Sequence, residues 1–139
     1  MADPVLLITG ASSGIGAATA RAAASQGYRV VLAARSEDSL QSLKEEIGSD
    51  RAITVRCDVQ SNEDQKAMVD QALKAFGRID AVFANAGRGG SPGGFSGADT
   101  EAWKDMILTN IYGVGLTLQH CLPALKESRG HLLITGSAA

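Results

Sequence analysis

VLLITGASSGIG (residues 5–16) decides how the rest of the chain is read. Its first five residues, VLLIT, are aliphatic or β-branched and stop at Gly10, the pattern of a short buried strand. The loop that follows holds three glycines and two serines. It runs straight into GAATARAAASQG (16–27), an Ala-rich stretch that favours helix and stops at Gly27. Strand, glycine loop and helix in that order make a place for an anion. Glycines permit a tight turn and a close backbone approach, and the first N–H groups of a helix, with its dipole, attract negative charge. Gly10, Gly14 and Gly16 are therefore the candidate cradle for a pyrophosphate, with Ser12 and Ser13 as hydroxyl donors and Ile15 between the last two glycines.

Outward from that stretch the same alternation repeats. YRVVLAA (28–34) reads as a second strand, and SEDSLQSLKEEIG (36–48) as a helix with early acids, Leu40, Leu43 and Ile47 at helical spacing, and a glycine stop. AITVRCDV (52–59) is a third strand, and SNEDQKAMVDQALKAFG (61–77) a helix capped by Ser61 and ended by Gly77. IDAVFANAG (79–87) is a fourth strand. A glycine-dense loop at 87–97 precedes a long apolar helix over 100–128, which Pro123 is expected to kink or shorten. HLLITG (131–136) is the fifth strand. Strands that are apolar throughout and separated by helices predict one domain over 1–139: an α/β, doubly wound parallel sheet with helices on both faces. The two LLITG copies, at 6–10 and 132–136, are its first and fifth strands and no solenoid repeat, because nothing between them recurs at a fixed period. Ligands of such sheets lie beyond the carboxyl ends of the strands, so both copies are expected to face one crevice.

The spacing Gly-x-x-x-Gly-x-Gly at 10–16 resembles the short-chain dehydrogenase/reductase family, and further motifs fall in family order. They are Asp58–Val59 after the third strand, Asn85–Ala86–Gly87 after the fourth, Asn110 in the long helix, and Gly136–Ser137 after the fifth. Ala84 stands where the family more often has a second asparagine. The resemblance implies a Rossmann-like fold and an NADP-dependent oxidoreductase that interconverts an alcohol and a carbonyl by hydride transfer. It implies that Asp58 accepts from the adenine amino group, that Val59 lines the same pocket, and that Asn85, Ala86 and Gly87 pass beside the cofactor ribose. It also implies catalytic roles for Ser137, which binds the reacting oxygen, and for Asn110, which holds a water. The family's Tyr-x-x-x-Lys acid/base pair has no match, since Tyr28 and Tyr112 are followed four residues on by Leu32 and Leu116. The chain therefore reads as the amino-terminal portion of a longer enzyme, incomplete at the C-terminal side and inactive alone. A non-catalytic nucleotide-binding fragment or sensor is the alternative. Family members that use NAD tend to carry an acid at the position of Ala34. Here Ala34, Arg35 and Ser36 leave room and charge for a 2′-phosphate, which favours NADP over NAD.

Net charge of −2 with no basic block argues against nucleic acid or an anionic membrane as partner, and the apolar runs are too short to span a bilayer. With no signal peptide read at MADPVLLITG, a cytoplasmic location is expected. Cys57 and Cys121 read as small buried residues, His120 and His131 as isolated, and Arg88 as solvated, so no metal site is expected. The implied partners are a small-molecule carbonyl or alcohol and further copies of the complete protein, as a homodimer or homotetramer joined in part through residues 100–128.

Overall fold

The structure, a computed structural model, describes residues 2–90 and 93–137. Elements follow in the order β1 (Val5–Thr9), α1 (Gly14–Ser25), β2 (Arg29–Ala34), α2 (Glu37–Ile47), β3 (Ala52–Arg56), α3 (Asn62–Phe76), β4 (Ala81–Ala84), α4 (Thr100–Ile107), α5 (Val114–Ser128) and β5 (His131–Ile134). All strand pairs are parallel, in the order β3-β2-β1-β4-β5. Helices cover both faces, so the doubly wound α/β sheet expected from the sequence is what forms. Side chains alternate along each strand. Leu6 and Ile8 of β1 join Val30 and Leu32 of β2 against Ala17, Ala20, Leu40 and Leu43 of α1 and α2. Val5 and Leu7 join Val31, Val55 and Val82 against Met68 and Val69 of α3 and Cys121 and Leu125 of α5. No helix among the described residues is long and apolar enough to cross a membrane.

Strand ends are shorter than the sequence suggests, for identifiable reasons. β3 stops at Arg56 because the Asp58 N–H turns away to the Asp64 carboxylate at 2.9 Å. β4 stops at Ala84 because the next two N–H groups, of Asn85 and Ala86, donate to the Thr9 hydroxyl at 3.0 and 3.1 Å. The helix expected over 100–128 forms without a gap, but its middle departs from α geometry. Residues Leu108–Gly113 form a π-helical turn between α4 and α5, whereas Pro123 sits inside α5 without ending it. The turn widens where Gly113 presses on the chain after β3: a Cβ on Gly113 would stand 2.9 Å from Val59 Cγ2 and 3.1 Å from its carbonyl oxygen.

The order β2-β1-β4 places the change of winding direction beside β1, and the crevice opens there, beyond the carboxyl ends of the strands. β5 lies two strands away from β1, about 10 Å at ordinary strand spacing. All these strands are parallel, so both LLITG copies end at the same edge of the sheet, the second two strands away from the first.

Candidate functional site

The loop between β1 and α1 is shaped by its glycines in two ways. Gly10 has φ +64, and a Cβ there would meet Ala86 Cα at 2.8 Å; a Cβ on Gly16 would strike the Gly10 carbonyl oxygen. These two glycines let β1, the loop after β4 and α1 close on one another. Gly14, at φ +54, has open space where its Cβ would be. The start of α1 is also unlike those of the next three helices. Ser13 makes no side-chain cap bond, and the first turn carries no acid. By contrast α2 begins with Glu37 and Asp38, α3 has the Ser61 hydroxyl accepting from the Asp64 N–H at 3.1 Å, and α4 has the Asp99 carboxylate accepting from the Glu101 N–H at 3.3 Å. The positive end of the α1 dipole is thus left without a negative partner from its own first turn. Ser12 is half-buried, while Ser13, Gly14 and Ile15 face outward.

A crevice of about 350 Å³ gathers residues from four successive strand ends. Gly10, Ser12 and Ser13 come from the end of β1; Ala34, Arg35 and Ser36 from β2; Cys57, Asp58 and Val59 from β3; Asn85, Ala86, Gly87 and Arg88 from β4. Thr109 of the π-turn completes the lining. Arg35 and Ser36 are exposed at its rim. Ser36 stands at the N-cap of α2 without a side-chain cap bond, and its hydroxyl donates to the Ser39 hydroxyl at 3.1 Å. One Asp58 carboxylate oxygen accepts from the Gln60 N–H at 3.0 Å, which folds the turn after β3 and holds the side chain beside the crevice. Burial, with the nearby Asp64 and Asp58 carboxylates, pushes the Cys57 thiol up to about 12, so it lines the crevice as a neutral, apolar group.

At the other end of the crevice Asn85 ties three strands together. Its Nδ2 lies 3.4 Å from the Gly10 carbonyl, and its Oδ1 accepts from the Thr135 hydroxyl at 2.8 Å. Asn110 holds the next stretch. Its Oδ1 accepts from the Arg88 N–H and its Nδ2 donates to the Arg88 carbonyl, both at 2.8 Å. Arg88 is exposed, as the sequence suggests, and its guanidinium pairs at the surface with Asp105 at 2.7 Å. His120 Nε2 lies 2.7 Å from Asn62 Oδ1. The structure thus brings into one lining all the nucleotide-site candidates except Gly14, Ile15 and Gly16, which continue from it into α1. Ser137 is exposed and lies outside that lining. Thr9, Cys57 and Thr109 are site residues the sequence reading passed over. Thr9 had one visible signal, a hydroxyl at the end of an otherwise aliphatic strand. Among the described residues no three His, Cys, Asp or Glu side chains cluster as metal ligands would.

A family model described as short chain dehydrogenase matches residues 4–139. An uncharacterized oxidoreductase of Listeria monocytogenes is 40% identical over 99% of this chain and 56% of its own length. The alcohol dehydrogenase of the archaeon Thermococcus sibiricus, solved with 5-hydroxy-NADP, superposes with a TM-score of 0.91 at 37% identity, over 96% of this chain and 58% of that one. A short chain dehydrogenase/reductase of Burkholderia phymatum, solved with NAD, superposes with a TM-score of 0.92 at 31% identity, over 98% of this chain and 50% of that one. The chain spans about half the length of the curated relatives it matches.

Proposed function

The chain belongs to the short chain dehydrogenase family, and on that premise we propose that it forms the nucleotide-binding part of an NADP-dependent oxidoreductase interconverting an alcohol and a carbonyl. The observation that carries this reading is the single crevice lined by the ends of β1 to β4, with an unneutralised helix start at one end and Arg35 at its rim. The glycine spacing, the two serine hydroxyls and the first N–H groups of α1 suit a pyrophosphate. Asp58 suits the adenine amino group, which donates hydrogen bonds, and Val59 offers an apolar wall. Asn85, Ala86 and Gly87 border the ribose on the nicotinamide side. A bound nicotinamide supplies or takes the hydride. The residues of this chain hold and orient it, and Ser137 donates to the oxygen on which charge develops, with Asn110 holding a water. Relatives solved with an NADP derivative and with NAD support a nicotinamide cofactor of either kind, and the choice between them is argued from β2. Ala34 presents no carboxylate to repel a 2′-phosphate, and Arg35 offers a permanently charged planar group for it.

The substrate proposed is a small carbonyl or alcohol, and the complete protein is proposed to be a cytoplasmic homodimer or homotetramer. Ile111, Tyr112 and Leu122, exposed on the segment 100–128, support that contact. Dissociation constants for NADP and NAD, measured on the chain and on two variants, test the cofactor choice. Arg35→Ala should weaken NADP roughly ten- to a hundredfold, the scale of a charge-assisted hydrogen bond, and spare NAD. Ala34→Asp should turn preference toward NAD. Equal affinity for the two cofactors in the unmodified chain would overturn the NADP reading.

A further inference from the structure

The π-turn at Leu108–Gly113 is braced from outside, and the braces come from the segment that also supplies the adenine side of the crevice. Gln65 of α3 is fully buried, and both polar atoms of its amide are hydrogen-bonded. Its Nε2 donates to the Val59 carbonyl and to the Gly113 carbonyl, both at 3.0 Å, and its Oε1 accepts from the Thr117 hydroxyl at 3.1 Å. The same Thr117 hydroxyl lies 3.0 Å from the Gly113 carbonyl. Gln60, just after Asp58–Val59, reaches the other end of the turn, where its Nε2 donates to the Thr109 hydroxyl at 3.0 Å and to the Asp105 carboxylate at 2.6 Å. Asp105 in turn holds the Arg88 guanidinium. Between these two braces sits Asn110, whose amide grips the Arg88 backbone beside Gly87 in the crevice lining.

A π-turn differs from an α-helix by one residue inserted into the ladder, and each residue advances an α-helix by about 100°. Relaxation of the turn to α geometry would therefore swing Asn110 off Arg88. We propose that Gln65, assisted by Gln60, is a positioning residue: it fixes the π-turn and so couples the Asp58–Val59 side of the crevice to the Asn110 clamp on Gly87–Arg88. The coupling to cofactor binding rests on the function proposed above; the mechanical link from Gln65 to Asn110 does not. Gln65 is not part of the crevice lining and acts through the backbone of Val59 and Gly113 and the hydroxyl of Thr117.

Two measurements on the chain test this and separate it from general destabilisation. Amide hydrogen exchange followed by NMR should show the Arg88 N–H exchanging at least about tenfold faster in Gln65→Leu, while Leu7 and Val31 in the central sheet keep their protection relative to global unfolding. NADP dissociation constants for Gln65→Leu, Asn110→Ala and the double variant should be non-additive by about tenfold, because both variants release the same clamp. Should Gln65→Leu not fold, Thr117→Val removes the hydroxyl that orients the Gln65 amide and should shift Arg88 exchange the same way. Unchanged Arg88 exchange, or loss of protection spread evenly over the sheet, overturns the proposal. Failure of the unmodified chain to bind NADP would overturn the functional reading instead, and the exchange result would still decide the role of Gln65.

Discussion

The same five residues, LLITG, recur in the most enclosed strand among the described residues and in the most exposed one. Leu6, Leu7, Ile8 and Thr9 are all buried in β1, whereas Leu133 and Ile134 of β5 are 54% and 51% exposed. Identical local sequence gives a parallel strand both times, so the strand itself is encoded locally. Its burial is not. β1 is paired on both sides, by β2 and β4, and roofed by helices on each face; β5 pairs with β4 alone among the described residues. The tool each copy carries differs in the same way. Gly10 turns sharply into the phosphate cradle, while Gly136 has neither a positive φ nor an atom within 4 Å of where its Cβ would be.

Matched substitutions in the two copies sharpen this, beginning with the largest difference. Leu7→Ala removes a side chain with no exposed surface and should cost about 2–5 kcal/mol of unfolding free energy, whereas Leu133→Ala should stay within about 0.5 kcal/mol. Urea unfolding of both variants reads the difference, and comparable losses would break the comparison. Next come the threonines. The Thr9 hydroxyl serves two backbone N–H groups, and Thr9→Val should cost about 1–3 kcal/mol for each one left unsatisfied. Thr135→Val loses one exposed bond to Asn85 and should cost about 1 kcal/mol or less.

The pair Gly10 and Gly136 follows. Gly10→Ala forces an L side chain into a left-handed backbone and against Ala86, for about 1–3 kcal/mol, and should weaken nucleotide binding as the cradle opens. Gly136→Ala should be neutral in both stability and nucleotide affinity. A neutral Gly10→Ala would mean that the β1–α1 loop relaxes freely and that its geometry is not set by contact with the loop after β4.

What the sequence made legible, and what it did not, follows the same division. Gly10 to Gly16, Ala34 to Ser36, Asp58–Val59 and Asn85 to Gly87 were readable because each is a run of neighbours whose placement depends only on a strand ending beneath it. Features made by distant partners were not readable. The hydroxyl of Thr9 meets a backbone 76 positions away, and Gln60 meets Thr109 across 49. The π-turn was hidden for that reason, since residues 100–128 read locally as helix and the residues in contact with the turn, Val59, Gln60 and Gln65, lie outside them. The Arg88–Asp105 ion pair was not readable either, because Asp105 lies on another element. Both LLITG copies end at the same edge of the sheet, and the distance between them there is set by strand order, which no stretch of either copy records.

The smallest expected difference lies at the other ends of the two strands, where one residue starts both. The Asp80 carboxylate accepts from the Val5 N–H at 2.8 Å at the head of β1, while the Asp80 backbone carbonyl accepts from the His131 N–H at 3.0 Å at the head of β5. Only the first of these bonds can titrate. Burial tends to raise the Asp80 pKa, but the hydrogen bond from Arg78, the Val5 N–H and the Arg78 charge outweigh it, so the group sits below the ordinary carboxylate value. A carboxyl with a depressed folded-state pKa contributes stability above its unfolded value, and that contribution is lost as pH falls through the folded one. Acidification from neutral to below about pH 4 should therefore loosen Val5 and leave His131 unchanged, because a backbone carbonyl keeps its acceptor at any pH. The Arg78 side chain is 41% exposed, which screens the pair and limits the loss to about 0.2–1 kcal/mol. Protection factors for the Val5 and His131 amides at pH 7 and pH 3, corrected for intrinsic exchange, read the two strand heads separately. In Asp80→Asn the acid-dependent part at Val5 should disappear. Equal acid sensitivity at both amides would show that β1 and β5 open as one unit, and that the shared Asp80 does not distinguish them.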